Sequence, residues 1–189
     1  DVLRLTVDDK YSWDFAMLGV GLRYINGVGK PDMLHYVESF GMEGHYDFAS
    51  NRGYIWSRTF PLLKRALLLG VGQDNFAYAF PNDDYVGKVN CGFNEQIVTK
   101  PHNMYLQIWV QDGLPALLAF LALYLLLFGR TIRKCFKKGK WNHSHKISLA
   151  FLCGVSGYFV AGLANDSSIC VAPVFWVLFG VAFAVLRSE

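Results

Sequence analysis

The sequence predicts a mainly α, integral-membrane fold, with a large loop region outside the cytoplasm followed by three membrane-crossing helices. Three observations predict it. Apolar residues make up 53% of the 189 residues, above the usual share of about 45–50%. The stretches Leu114–Gly129, Ile147–Ala164 and Ile169–Leu186 contain no Asp, Glu, Lys or Arg. The charge is also unevenly placed. Residues 1–113 carry thirteen acidic and ten basic side chains, whereas residues 114–189 carry two acidic against eight basic ones.

A helix needs about 17–20 residues to cross a bilayer core. The first run is short alone, but LQIWVQDG ahead of it extends the helix, so the spans fall at about 106–129, 147–164 and 169–186. Burying three such helices in a water-soluble domain would leave too little polar surface to cover them within 76 residues. Between the first two spans, residues 130–146 read RTIRKCFKKGKWNHSHK, with seven Lys or Arg and no acid. Short loops rich in Lys and Arg stay cytoplasmic. Residues 1–113 then lie outside the cytoplasm, the NDSS turn at Asn165 faces outward, and the C-terminus lies inside. A basic run pinned between two spans reads as a topology signal, not as a nucleic-acid site.

Cys91, Cys135, Cys153 and Cys170 form no CxxC pair and no metal spacing. The chain opens at Asp1 with no visible signal peptide, and reads as the C-terminal part of a longer multi-span protein.

Within the outward segment, the first fifty residues are polar and irregular, with one plausible amphipathic helix around Tyr11–Tyr24. Asn51–Leu69 places Ile55, Trp56, Phe60, Leu63, Ala66 and Leu67 near helical spacing, with a kink expected at Pro61. GVGQDNF marks a turn, and the stretch from Ala77 to Val98 is loop-like. Lys100-Pro101 opens a helix that runs into the first span, since Pro suits a first helical turn.

His102 sits at the start of that helix, just outside the bilayer. A histidine, with its ordinary pKa of about 6.5, suits proton transfer at neutral pH; it equally suits capping a helix. Lys100 and Asn103 beside it add polar groups, and a helix N-terminus favours anions such as phosphate. Arg52 and Arg58 are outward-facing guanidiniums whose planar fork matches phosphate, or which anchor to lipid headgroups. Asp83-Asp84 lies in a turn, PNDDYVG, without a histidine at ligand spacing, so no metal site is expected. GVGQDNF is not a nucleotide fingerprint. Asp166, in the NDSS turn, is placed to line a site between helices.

The order NRGYIWSR, PLL, LLLGVGQDNFAYAFP, NDDYVGK and KPHNMYLQIWVQDGLPALLAFLALYLLL resembles the O-antigen ligase and polymerase superfamily, multi-span bacterial glycosyltransferases of the type C class. The resemblance is close over about Ser50 to Leu127 and looser over the two closing spans. It implies transfer of a glycan from a polyprenyl-diphosphate-linked donor to a glycan or glycolipid acceptor at the outer face of the membrane. It implies no cofactor, metal or nucleotide sugar, and no nucleic-acid partner. It assigns His102 to activating the acceptor hydroxyl and Arg52 to binding the carrier diphosphate; Arg58, Lys100 and Asn103 are expected as further substrate contacts from their own charge and hydrogen-bonding chemistry. The family's usual Gly before Arg-Gly is here Asn51. Earlier spans are expected to complete the lipid groove, so the segment alone should be inactive. The competing reading is a transporter or flippase for a lipid-linked glycan. Such proteins place charged or broken helices at mid-membrane, and these three spans carry no central charge.

Overall fold

The computed structural model describes residues 2–7, 9, 11–19, 21–92, 96–136 and 143–187. The chain forms two compact units, residues 1–64 with 77–99, and residues 65–76 with 100–189. Most of the described residues are helical.

The first unit opens with a four-stranded antiparallel meander, β1 (Val2–Val7), β2 (Tyr11–Leu18), β3 (Gly21–Ile25) and β4 (Pro31–Asp32). This overturns the helix expected around Tyr11–Tyr24. The period-two alternation decides it, because successive strand residues point to opposite faces. Leu3 faces Phe15, Leu5 faces Trp13 and Met17 faces Leu22 on one side of the sheet. Arg4 faces Asp14 on the other side and donates Nε to Oδ1 at 2.6 Å and Nη2 to Oδ2 at 2.7 Å.

The helix α1 (Phe48–Arg65) begins with Ala49, Ser50 and Asn51 in left-handed conformation, at φ of 50°, 61° and 65°, and runs regularly from Arg52. The break expected at Pro61 therefore lies at the N-terminal end instead. Pro61 has no N–H to give to the Ser57 carbonyl four residues earlier, and the Phe40 N–H takes that carbonyl at 2.9 Å. The departure from Gly at position 51 also has a physical reason. Asn tolerates the left-handed region better than most residues, and its Nδ2 donates to the Cys91 carbonyl at 2.8 Å. Gly53 is required because a Cβ there would run into the His45 carbonyl oxygen. Two short helices, α2 (Phe76–Ala79) and α3 (Tyr85–Asn90), follow.

The second unit holds α4 (Met104–Asp112), α5 (Leu114–Cys135), α6 (His143–Ala161) and α7 (Ala172–Arg187). One continuous helix over about 106–129 was expected. The chain instead breaks at Gly113, with φ of 95°, because Pro115 in the following turn has no N–H to extend α4. Helix α5 also continues past Gly129, so Arg130, Arg133 and Lys134 lie on its last turns, where cations oppose the negative end of the helix dipole. Of the other basic residues in 130–146, Lys146 lies on α6, and Lys137, Lys138 and Lys140 lie outside the described residues. By length and composition α5 is, among the described residues, the one helix able to cross a membrane. Helix α7 is apolar but has only 16 residues, and α6 starts with the polar His143–Lys146. The core between α5, α6 and α7 is aromatic. Phe159 stacks on Tyr124 at 4.1 Å and on Phe120 at 4.7 Å, and Tyr158 stacks on Phe175 at 4.1 Å.

The Gly-Val-Gly turn is a cap for α4. Val71 N–H donates to the Val110 carbonyl at 2.8 Å and Gly72 N–H to the Gln111 carbonyl at 3.0 Å. These carbonyls belong to the last turn, which has no partners within its own helix. Gly70 is needed because a Cβ there would overlap the Gln111–Asp112 peptide. Gly70→Ala is therefore expected to destabilise the solubilised protein by about 1–3 kcal/mol, the usual cost of overpacking, seen as a lowered thermal midpoint. An unchanged midpoint would show that the two backbones separate freely.

Candidate functional site: a histidine–aspartate pair at a groove

His102 sits in left-handed conformation, with φ of 52°, between the buried Pro101 and the first turn of α4. Its Nδ1 lies 2.8 Å from Oδ2 of Asp166, in the turn between α6 and α7; the His102 side chain is 49% exposed and that of Asp166 11%. The sequence brought Asp166 to notice only as a lining residue. Its one signal was that it is one of two acids in the last 76 residues. Asp166 Oδ1 is buried and meets no donor among the described residues.

Four bonds hold this turn against α4. The Met104 N–H donates to the Gly162 carbonyl at 2.8 Å. Asn103 Nδ2 donates to the Leu163 carbonyl at 2.9 Å, and the Tyr105 hydroxyl donates to the Phe159 carbonyl at 2.6 Å. The Ser167 N–H donates to Gln107 Oε1 at 2.9 Å. Asn103 is also the N-cap of α4, its Oδ1 accepting from the N–H groups of Tyr105 and Leu106, both at 3.0 Å. Such a cap satisfies donors that the helix itself leaves free. Both polar atoms of this side chain's amide are thus engaged in holding the fold.

Two grooves meet here. One, of about 450 Å³, is lined by Lys100, His102, Asn165, Asp166 and Ser168 among others. The other, of about 560 Å³, shares Lys100, Met104, Tyr158, Ser167 and Ser168 with it. It runs from Gln73, Gln107 and Gln111 to the apolar Phe120, Leu123 and Trp176. Lys100 therefore borders both spaces.

Arg52 and Arg58 belong to the first unit. Arg52 is half-buried at the first regular turn of α1. Its Nη1 donates to the Ala49 carbonyl at 3.2 Å, and its Nε is buried without a described acceptor. Arg58 was expected to face outward, but it is buried. Its Nε lies 3.0 Å from Asp84 Oδ2, its Nη1 donates to Ser57 Oγ at 2.9 Å, and its guanidinium sits 4.8 Å and 4.6 Å from the rings of Tyr46 and Tyr54. The helical spacing explains the difference: Tyr54, Ile55, Arg58 and Leu62 share one buried face of α1. Burial works against the Arg58 charge, but Tyr46 and Asp84 outweigh it and raise the pKa. Burial also raises the pKa of the Tyr54 hydroxyl, helped by Asp84, to which it donates at 3.1 Å.

Asp84 is the N-cap of α3 and accepts from the Gly87 N–H at 3.0 Å. The turn reading of Asp83-Asp84 holds for this residue, while Asp83 lies 3.3 Å from His35 Nε2. Lys88, on α3, is buried with its Nζ donating to the Asn82 carbonyl at 3.2 Å, and burial lowers its pKa. Among the described residues no three His, Cys, Asp or Glu side chains gather as metal ligands.

No curated protein and no solved structure matches the chain. Residues 14–121, more than half of its length, match the family described as O-Antigen ligase. That span takes in the Arg-Gly helix start, the Gly-Val-Gly cap, the His-Asn-Met-Tyr helix and the first turns of α5, and the chain belongs to the O-antigen ligase family.

Proposed function

We propose that the protein transfers a glycan, as ligase or polymerase, from a polyprenyl-diphosphate carrier onto an acceptor hydroxyl at the outer face of the cytoplasmic membrane. Residues 1–113 face outward in this reading, and α6 and α7 cross the membrane beside α5.

The observation that carries it is the pair of a half-exposed His102 and a nearly buried Asp166 at 2.8 Å, beside Lys100 at a groove. A carboxylate on Nδ1 keeps the proton on that nitrogen and leaves the Nε2 lone pair free. Nε2 then takes the proton of the acceptor hydroxyl as its oxygen bonds to the anomeric carbon. The anomeric carbon–oxygen bond to the carrier breaks, and the electron pair leaves on the diphosphate. Cations stabilise the charge that develops there. Lys100, which borders the groove, is assigned to that role, and the family resemblance assigns Arg52 to the carrier diphosphate. Arg58 and Asn103 hold the scaffold. The two grooves, sharing Lys100 and Ser168, suit two substrates brought to one wall.

The test is transfer by the intact protein in membranes. His102→Ala should lower it by about 10²–10⁴-fold, the usual worth of a positioned base, at an unchanged membrane level. Arg52→Lys should also be damaging, because an ammonium lacks the planar two-pronged contact. Retained transfer in His102→Ala would remove the base assignment. Capped glycolipid as product identifies a ligase, and loss of chain length in a deletion strain identifies a polymerase.

A further inference from the structure

In the second unit, three consecutive leucines follow α1: Leu67, Leu68 and Leu69 are 50%, 78% and 82% exposed. A run of large apolar side chains in a tight turn, open to this degree, marks an interaction surface. Its position within the unit says what it meets. A Cβ on Gly113, the residue that opens α5, would strike the Leu68 carbonyl. The following Gly70-Val71-Gly72 is bonded to the last carbonyls of α4. The leucines are therefore fixed at the N-terminal end of the membrane-crossing helix.

That helix is short of apolar length. Its uncharged part, Leu114–Gly129, has sixteen residues, which at about 1.5 Å each gives about 24 Å. A bilayer core is about 30 Å thick. Helix α5 also turns Leu118, Leu125 and Leu126 outward, so its flank is already apolar. Leucines held at its upper end continue that band and make up missing height. Arg65, two residues before Leu67, is exposed, and an arginine can lay its stem along apolar surface while its head reaches headgroup phosphates.

We propose that Leu67–Leu69 form a membrane-inserting loop that enters the leaflet at the N-terminal end of α5. The loop fixes how deep the α4–α5 junction sits, and with it the height of the groove bordered by Gln73, Gln111 and Asp112. The occupant is lipid, with acyl chains against the leucines. The inference does not depend on glycan transfer.

The test places an environment-sensitive fluorophore on Leu68→Cys in the intact protein, with Cys91, Cys135, Cys153 and Cys170 replaced by Ser, in phospholipid nanodiscs. Leu125→Cys gives the reference for full insertion. The label at position 68 should emit blue-shifted, as in an apolar medium, and lipids with a quencher high on the acyl chain should quench it more than lipids with a deep one. Water-like emission would overturn the proposal. So would blue-shifted emission that no lipid quencher reduces, because protein would then cover the leucines. A labelled Leu69→Cys gives the same reading if Leu68→Cys fails to fold.

Discussion

Asp166→Asn should lower the turnover of glycan transfer by about 10²–10⁴-fold with little change in the apparent affinity for the carrier. The substitution keeps size and shape, so the α6–α7 turn stays in place. In the proposed mechanism it removes the negative charge that fixes the proton on His102 Nδ1 and stabilises the ring once Nε2 has taken the acceptor's proton. An amide facing Nδ1 can also donate its own N–H, which would put the ring proton on Nε2 and leave no base facing the acceptor. In the serine-protease triad the same change costs about 10⁴ in turnover with geometry intact. Asp166 is nearly buried, so solvent does little to replace its charge. The measurement is a split of turnover from Michaelis constant on purified enzyme in lipid. A variant whose turnover is intact and whose only loss is in affinity would return Asp166 to a purely structural part.

The second large effect is on stability. Asp84→Ala should destabilise the protein by about 3–5 kcal/mol, because it leaves the Arg58 charge buried and unbalanced. It also strips the N-cap from α3 and an acceptor from the Tyr54 hydroxyl. The double variant Arg58→Met with Asp84→Ala should cost less than Asp84→Ala alone, since no buried cation is then stranded. Thermal midpoints of the solubilised protein measure both. Equal losses in single and double variants would show that the ion pair contributes nothing and that the cap carries the whole effect. Arg52 lies on the same helix as Arg58, so a loosened α1 should lower transfer as well.

The sequence carried the helical part of the fold through composition, since long uncharged runs have few alternatives to helices in a core or a membrane. It misled at the ends of those runs. A hydrophobic window does not register that Gly113 and Pro115 interrupt the backbone hydrogen bonding of a run that is apolar on both sides. It also does not register that Arg130–Lys134 gain from ending a helix. The N-terminal sheet was missed because Trp13, Phe15 and Met17 fit an alternating strand, while Trp13 and Met17 alone, four apart, also fit one face of a helix. Only the cross-strand partners settle the choice. In the candidate site, His102 was legible from its neighbours and from family resemblance. Asp166 was not, because it lies more than sixty residues away and meets His102 only when the end of α6 reaches the first turn of α4. Arg58 was misplaced for a related reason: an arginine read alone looks solvent-seeking, and the carboxylate and two tyrosine rings that bury it come from elsewhere in the chain.

The backbone just before Arg52 has a handedness opposite to the rest of α1. Over Ala49, Ser50 and Asn51 the chain follows a path that a mirror-image amino acid would find relaxed. Chirality, normally a reason for a helix to persist, here acts as a barrier to lengthening it: α1 cannot be extended backwards past Arg52 without unwinding those three residues. The guanidinium therefore stays on the first regular turn of its helix, where the Tyr54 N–H donates across the reversed segment to the Tyr46 carbonyl at 3.0 Å.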